Sequence, residues 1–357
     1  MNAIAAPLGL LAELTHRCPL ACPYCSNPLQ LEGRASELDT EAWGRVMREA
    51  GAMGVLQVHL SGGEPASRRD LETITKAAHD AGLYTNLITS AVGVTQARLQ
   101  ALVDAGLDHV QISIQDSEPA EADRIAGYKG AYRQKIALAR EVSRAGLRLT
   151  VNAVIHKHNI MRIPAMIEHA VQLGAQRIEI AHVQYYGWAL PNRAALMPAR
   201  ADAEAAVAQI EELRRTYHGR IVIDAVTPDY FAKYPKACMG GWGKRSLNVT
   251  PSGWVLPCHA AQTLPELDFW NVRDRALADI WERSPAFMAF RGTAWMKEPC
   301  ASCAHRDRDF GGCRCQAFAL TGDARTADPV CHLSPHHHIV AELADVGGDA
   351  PFLYRGR

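Results

Sequence analysis

From Leu10 to about Val226, short runs rich in β-branched and aliphatic residues alternate with stretches whose apolar positions recur at helical spacing. The runs Leu10–Leu14, Leu56–Leu60, Tyr84–Thr89, His109–Ile114, Arg148–Val154 and Ile178–Val183 read as strands. Between them lie amphipathic helices, with faces such as Trp43, Val46, Met47 and Ala50, or Ile136, Ala139, Arg140 and Val142. Four helices end alike, at Ala81-Gly82-Leu83, Ala105-Gly106-Leu107, Ala145-Gly146-Leu147 and Leu173-Gly174-Ala175. Glycine there suits the left-handed residue that stops a helix before the next strand. Repeated βα units imply a parallel sheet covered by helices. Six units are too few to close an eight-stranded barrel, which takes about 250 residues. The expected fold is therefore α/β, an open (β/α)6 partial TIM barrel, with its chemistry at the carboxyl ends of the strands.

After Val226 the regularity gives way to Gly, Pro, Cys and aromatic residues, so residues 1–226 are expected to form the barrel and 227–357 a small cysteine-rich domain. Within the latter, Leu247–Val249 and Trp254–Leu256 around Pro251-Ser252-Gly253 read as a hairpin, followed by a short helix near Ala276–Arg283. So few periodic apolar residues remain beyond it that bound metal is expected to support the fold.

At 357 residues and 48% hydrophobic content, the chain can give both units a core. Lysine plus arginine equals aspartate plus glutamate at 38 each, so no overall field draws nucleic acid or a lipid surface. Nothing reaches the length of a membrane span, and Met1–Leu11 lacks the flanks of a secretory signal, which makes the cytoplasm the expected address. In a reducing compartment ten cysteines point to metal rather than disulfides. Three lie within Cys18–Cys25, none in the next 212 residues, and seven from Cys238 to Cys331.

Cys18-x3-Cys22-x2-Cys25 offers three thiolates from one tight loop after the first strand, suiting three corners of a cubane cluster and leaving the fourth iron open. A closed zinc site with His16 as fourth ligand is the competing reading. The second strand runs into Ser61-Gly62-Gly63-Glu64-Pro65, where the glycines allow close backbone approach and Glu64 can accept from an ammonium group. Alone, that run would be an ordinary turn.

The cysteine spacing, with Tyr24 before its last member, and the Gly-Gly-Glu-Pro run resemble the signatures of radical S-adenosylmethionine (SAM) enzymes. The resemblance implies a [4Fe-4S] cluster on Cys18, Cys22 and Cys25 whose open iron takes the amino and carboxylate groups of SAM, with Tyr24 beside the adenine. It further implies that Gly62, Gly63, Glu64 and Pro65 bind the methionine amino group. Ser113, Gln115, Asn152 and the run His182–Tyr186, at later strand ends, resemble sites for ribose, carboxylate and adenine; they read equally well as ordinary polar rim residues.

The cysteine-rich tail resembles the SPASM domain, which carries two auxiliary iron–sulfur clusters. Position by position this implies Cys238, Cys258, Cys313 and Cys315 at one cluster, and Cys300, Cys303, Asp309 and Cys331 at the other. Asp309 stands where the pattern expects cysteine, and the close pair Cys313 and Cys315 could favour [2Fe-2S] over [4Fe-4S] at the first. In isolation the same spacings read as a zinc ribbon. His336, His337 and His338 read as surface, since consecutive helical residues point apart.

Longer stretches, Leu11–Leu20, Gln111–Asp116 and Ala181–Ala189, together with Asp309, resemble the PqqA peptide cyclases of pyrroloquinoline quinone biosynthesis. That resemblance implies a carbon–carbon bond made between a glutamate and a tyrosine of the precursor peptide PqqA, begun by a SAM-derived radical that takes hydrogen from the glutamate γ-carbon. It also implies the peptide chaperone PqqD and a flavodoxin-like reductant as partners. About ten residues before the first strand are too few for a fused peptide-binding domain, which agrees with a separate chaperone. Another SPASM-type peptide modification, forming a thioether or formylglycine, is the alternative activity.

Overall fold

Seven strands, β1 (Gly9–Glu13), β2 (Gln57–Ser61), β3 (Tyr84–Thr89), β4 (His109–Ser113), β5 (Arg148–Ile155), β6 (Arg177–His182) and β7 (Val222–Val226), lie side by side in chain order, all parallel. The computed structural model describes residues 4–226, 229–344 and 350–356, so the boundary expected after Val226 falls at residues 227 and 228, outside them. Helices α1 (Thr40–Ala52), α2 (Leu71–Asp80), α3 (Gln96–Asp104), α4 (Pro119–Ala126), α5 (Ala131–Arg144) and α6 (Ile163–Gln172) connect the first six strands. Asp39 and Thr95 cap α1 and α3 by accepting from Ala42 N and Arg98 N. The four helix-ending glycines, Gly82, Gly106, Gly146 and Gly174, all take positive φ.

Residues alternate between two faces along each strand. Leu10, Ala12, Val58, Leu60, Val110, Ile112, Ile178 and Ile180 are buried with Trp43, Val46, Met47 and Ala50 of α1 in one core. The opposite positions, Leu11, Glu13, Gln111, Ser113, Asn152 and Glu179, face the inside of the curved sheet. Parallel strands are usually apolar on both faces; here the polar inner face lines a cavity.

The partial barrel expected from the sequence forms, and the structure adds to it at both edges. Beyond β6, β7 adds a seventh parallel strand that periodicity did not reveal, because Asp224 interrupts a short run and Val222 is exposed at the edge. Beyond β1, β8 (Ser246–Val249) pairs in parallel with β1 and antiparallel with β9 (Val255–Leu256). The expected hairpin therefore grows from the barrel sheet, with Leu247 and Val249 fully buried. In the tail, Trp242, Leu256, Leu264 and Phe290 form a separate apolar cluster around Cys258 and Cys315. Among the described residues no helix is long and apolar enough to cross a membrane.

Candidate active site

At the carboxyl ends of the strands a cavity of about 550 Å³ is lined by Cys18, Cys22 and Cys25 from the β1 loop, Gly62 and Gly63 from the β2 loop, and residues of β4–β6. The loops meet closely. A Cβ on Gly62 would fall 2.3 Å from the Thr15 carbonyl oxygen, and one on Gly63 would fall 2.4 Å from that of Arg17. Gly63 N and Glu64 N donate to the Thr15 and Arg17 carbonyls, so the two loops form one unit.

Glu64 and Pro65 lie behind the cavity wall rather than in it. The Glu64 carboxylate is 1% exposed and accepts from Thr89 Oγ1, Ser90 N, Ser90 Oγ and Ala66 N. The three from Thr89 and Ser90 tie the β2 loop to the end of β3, and the four together leave little capacity for an ammonium group. Ser113, Gln115 and Asn152 do face the cavity. Lys135 of α5, wholly buried, donates to the Ser113 carbonyl and to Gln115 Oε1, and burial lowers its pKa to about 8. Asn152 donates to Glu179 Oε2 at 2.7 Å. Tyr24 packs 5.7 Å from His156, with its buried hydroxyl unpartnered among the described residues.

Burial pushes Cys18 up to about 11 and Cys22 to about 12, and raises Cys25 as well. Thiols so placed become good thiolates only against a positive partner, as metal provides.

The tail cysteines also gather into sets. Cys238, Cys258, Cys313 and Cys315 interact with one another, with Cys258 Sγ 3.9 Å from Cys315 Sγ. Hydrogen bonds from the Cys238 and Cys315 thiols hold Cys258 below the ordinary thiol range. Cys300, Cys303, Asp309 and Cys331 line a second small cavity together with Pro235, Pro299 and Leu333. His337 bonds the Pro329 carbonyl while His338 is exposed, so the histidine run does not converge.

Comparison with known proteins decides the family. Residues 12–170 match the radical SAM superfamily, and residues 238–304 match SPASM, an iron–sulfur cluster-binding domain. A PqqA peptide cyclase of Methylocella silvestris is 64% identical over 365 residues, covering 100% of this chain and 98% of that protein. The chain belongs to the PqqA peptide cyclases. A cyclase of the same name from Methylorubrum extorquens is 57% identical over 358 residues, covering 99% of this chain and 93% of its own. Among solved structures, Streptococcus suis SuiB bound to S-adenosylmethionine superposes with a TM-score of 0.77 at 19% identity, covering 92% of this chain and 78% of SuiB. Native anSMEcpe with bound AdoMet gives 0.65 at 14%, covering 94% and 96%. At such identities these two show the shared fold.

As a PqqA peptide cyclase the chain is a radical SAM enzyme whose cofactors are a [4Fe-4S] cluster with SAM and auxiliary clusters in the SPASM domain. The cavity suits the first of these. The cysteine loop supplies three thiols, the floor is two glycines at which a Cβ would displace that loop, and the ring nitrogens of His182 face the cavity without partners among the described residues.

Several site residues escaped sequence reasoning. Glu179 and Glu13 face inward from β6 and β1, which only the sheet's curvature reveals. His259, next to Cys258, accepts from or donates to the Tyr186 hydroxyl at 2.6 Å across the domain junction. Arg355, remote in sequence, reaches the cavity too. Proximity to Cys258 was the one sequence signal available for His259.

Proposed function

We propose that the chain cyclises the precursor peptide PqqA by joining a glutamate γ-carbon to a tyrosine ring. The observation that carries this reading is continuity between the three-thiol cavity and an apolar groove of about 990 Å³. Ser26, Tyr186 and His259 line both. Leu29, Leu31, Trp254, Leu264 and Phe269 line the groove, which runs between the barrel and the SPASM domain and has room for an extended peptide.

In this reading Cys18, Cys22 and Cys25 would hold the [4Fe-4S] cluster, and Gly62, Gly63, Tyr24, Ser113, Gln115 and Asn152 would bind SAM. Cluster and SAM together supply a carbon radical able to take hydrogen. The chain's residues bind, orient and seal. The loop unit of Gly62, Gly63 and Glu64 fixes the floor, Lys135 holds the β4 end, and the Tyr186–His259 pair stands where the peptide meets the cavity. Cross-linking removes a hydrogen atom from glutamate and a proton from the tyrosine ring, and leaves one electron to be taken up. The SPASM thiol sets, Cys238, Cys258, Cys313 and Cys315 beside Tyr186 and Cys300, Cys303, Asp309 and Cys331 further out, are the sites of clusters able to accept it. PqqD delivers the peptide and a flavodoxin-like protein the reducing electron.

The test is to incubate the reduced holoenzyme with PqqA, PqqD and SAM and to examine the peptide by mass spectrometry. The expected product has lost two hydrogens and carries a Glu–Tyr link. An unchanged peptide under productive SAM cleavage, or a thioether in its place, overturns the assignment.

A further inference from the structure

The segment 350–356 returns from the tail and lies on the cysteine loop. Asn192, 2% exposed, donates to the Leu353 and Pro23 carbonyls and accepts from Leu353 N at 2.7 Å. The Tyr354 hydroxyl donates to the Arg124 carbonyl at 2.9 Å, and its ring packs over Gly127, where a Cβ would approach within 3.1 Å. Phe352 packs edge-on to His158 beneath the Arg124 guanidinium. The strap is thus held along its length, and it ends with Arg355 N donating to the Ala21 carbonyl, between Cys18 and Cys22.

These contacts carry the Arg355 side chain into the cavity wall beside the three cysteines. It is only 6% exposed. One Nη donates to the His16 carbonyl, Nε has no partner among the described residues, and no described carboxylate forms an ion pair with it. A buried guanidinium without a direct ion-pair partner is costly, so its position suits an anionic group at the cysteine loop. A cluster on three thiolates is anionic and gains a further negative charge on reduction, and hydrogen bonds and charge at its sulfurs set its potential.

We propose that Arg355, delivered by the 350–356 strap, donates to the sulfur shell of the cluster at Cys18, Cys22 and Cys25 and raises its reduction potential. This rests on the reading that those three cysteines hold the cluster. Arg355 acts as a positioning residue and electrostatic partner, bonded to the cysteine loop itself, whereas Ser113, Gln115 and Asn152 stand on other strands.

The test is a redox titration of the holoenzyme followed by paramagnetic resonance, reading the one signal that changes when SAM is added. In Arg355→Gln the reduction equilibrium should fall about tenfold, a shift of about 59 mV to more negative potential for one electron. Arg355→Lys, which keeps the charge, should recover most of it. An unchanged midpoint in a fully loaded Gln variant overturns the proposal, and so does weakened SAM binding at an unchanged midpoint, which would assign Arg355 to the SAM carboxylate. Should Arg355→Gln fail to assemble, Tyr354→Ala, which unpins the strap and leaves the cysteine loop intact, must shift the same signal in the same direction; no shift overturns the proposal. Persistence of the SAM-responsive signal in Cys22→Ala would instead sink the underlying cluster assignment.

Discussion

The Tyr186 hydroxyl lies 2.6 Å from His259 Nε2, joining the loop after β6 to the residue that follows Cys258. Burial pushes the Tyr186 phenol far above its ordinary range, so it stays protonated and serves as a hydrogen-bond partner. The bond crosses from barrel to SPASM domain at the point where cavity and groove meet.

Tyr186→Phe keeps the ring and removes the bond, at a cost of about 1 kcal/mol. We expect SAM cleavage to continue while cross-linking drops about tenfold, as misplacement by a fraction of an ångström is enough to do. The ratio of 5'-deoxyadenosine to cyclised peptide measures this uncoupling. An unaltered ratio would remove the pair from the substrate path.

Gly62→Ala places a Cβ 2.3 Å from the Thr15 carbonyl at φ +125°. The cysteine loop must shift, with strain on the order of 1–3 kcal/mol. Reconstituted iron at the amino-terminal site should fall sharply, as measured by iron content per chain. A normally loaded variant would show that the loops are not one unit.

Cys22→Ala should abolish SAM cleavage while leaving the SPASM signals in place. Residual 5'-deoxyadenosine at the parent rate would contradict the role given to that thiol.

Asp309→Cys should preserve the fold and change the auxiliary-cluster spectrum, since thiolate replaces a harder oxygen donor beside Cys300, Cys303 and Cys331. Identical spectra before and after substitution would exclude Asp309 as a ligand.

His182 is buried, and that burial lowers its pKa from 6.5 to about 4. The unfolded chain therefore binds a proton below pH 6.5 that the folded chain refuses until about pH 4, so stability falls as pH drops through that window. His182→Gln should flatten denaturation midpoints plotted against pH by up to one proton, about 1.4 kcal/mol per pH unit. A slope equal to the parent's would place the lost protons elsewhere, His156 and His109 being the next candidates because burial lowers both.

Much of this was legible in the chain. The six strands from β1 to β6 fell within a residue or two of their expected bounds, because aliphatic runs between glycine-stopped helices leave few alternatives. The cysteine motif and the Gly-Gly-Glu-Pro run were readable since both are local, their chemistry carried by neighbours in one loop. Lys135 was not, for nothing local marks a lysine as buried, and its partners are the Ser113 carbonyl and Gln115, 22 and 20 residues away. The partners of the Glu64 oxygens, Thr89 and Ser90, lie 25 and 26 residues away and were not legible either.

By itself the sequence determined the βα rhythm, the three-thiol loop and the glycines that must lie close to it, since these depend on spacing of a few residues and on the absence of a Cβ. Tertiary structure alone decided that β8 extends the barrel sheet, that His259 meets Tyr186, and that Arg355 lies by Cys18, Cys22 and Cys25. Those contacts join segments separated by 73 to over 300 residues. No local periodicity encodes them; they arise where two folded units bury surface against each other.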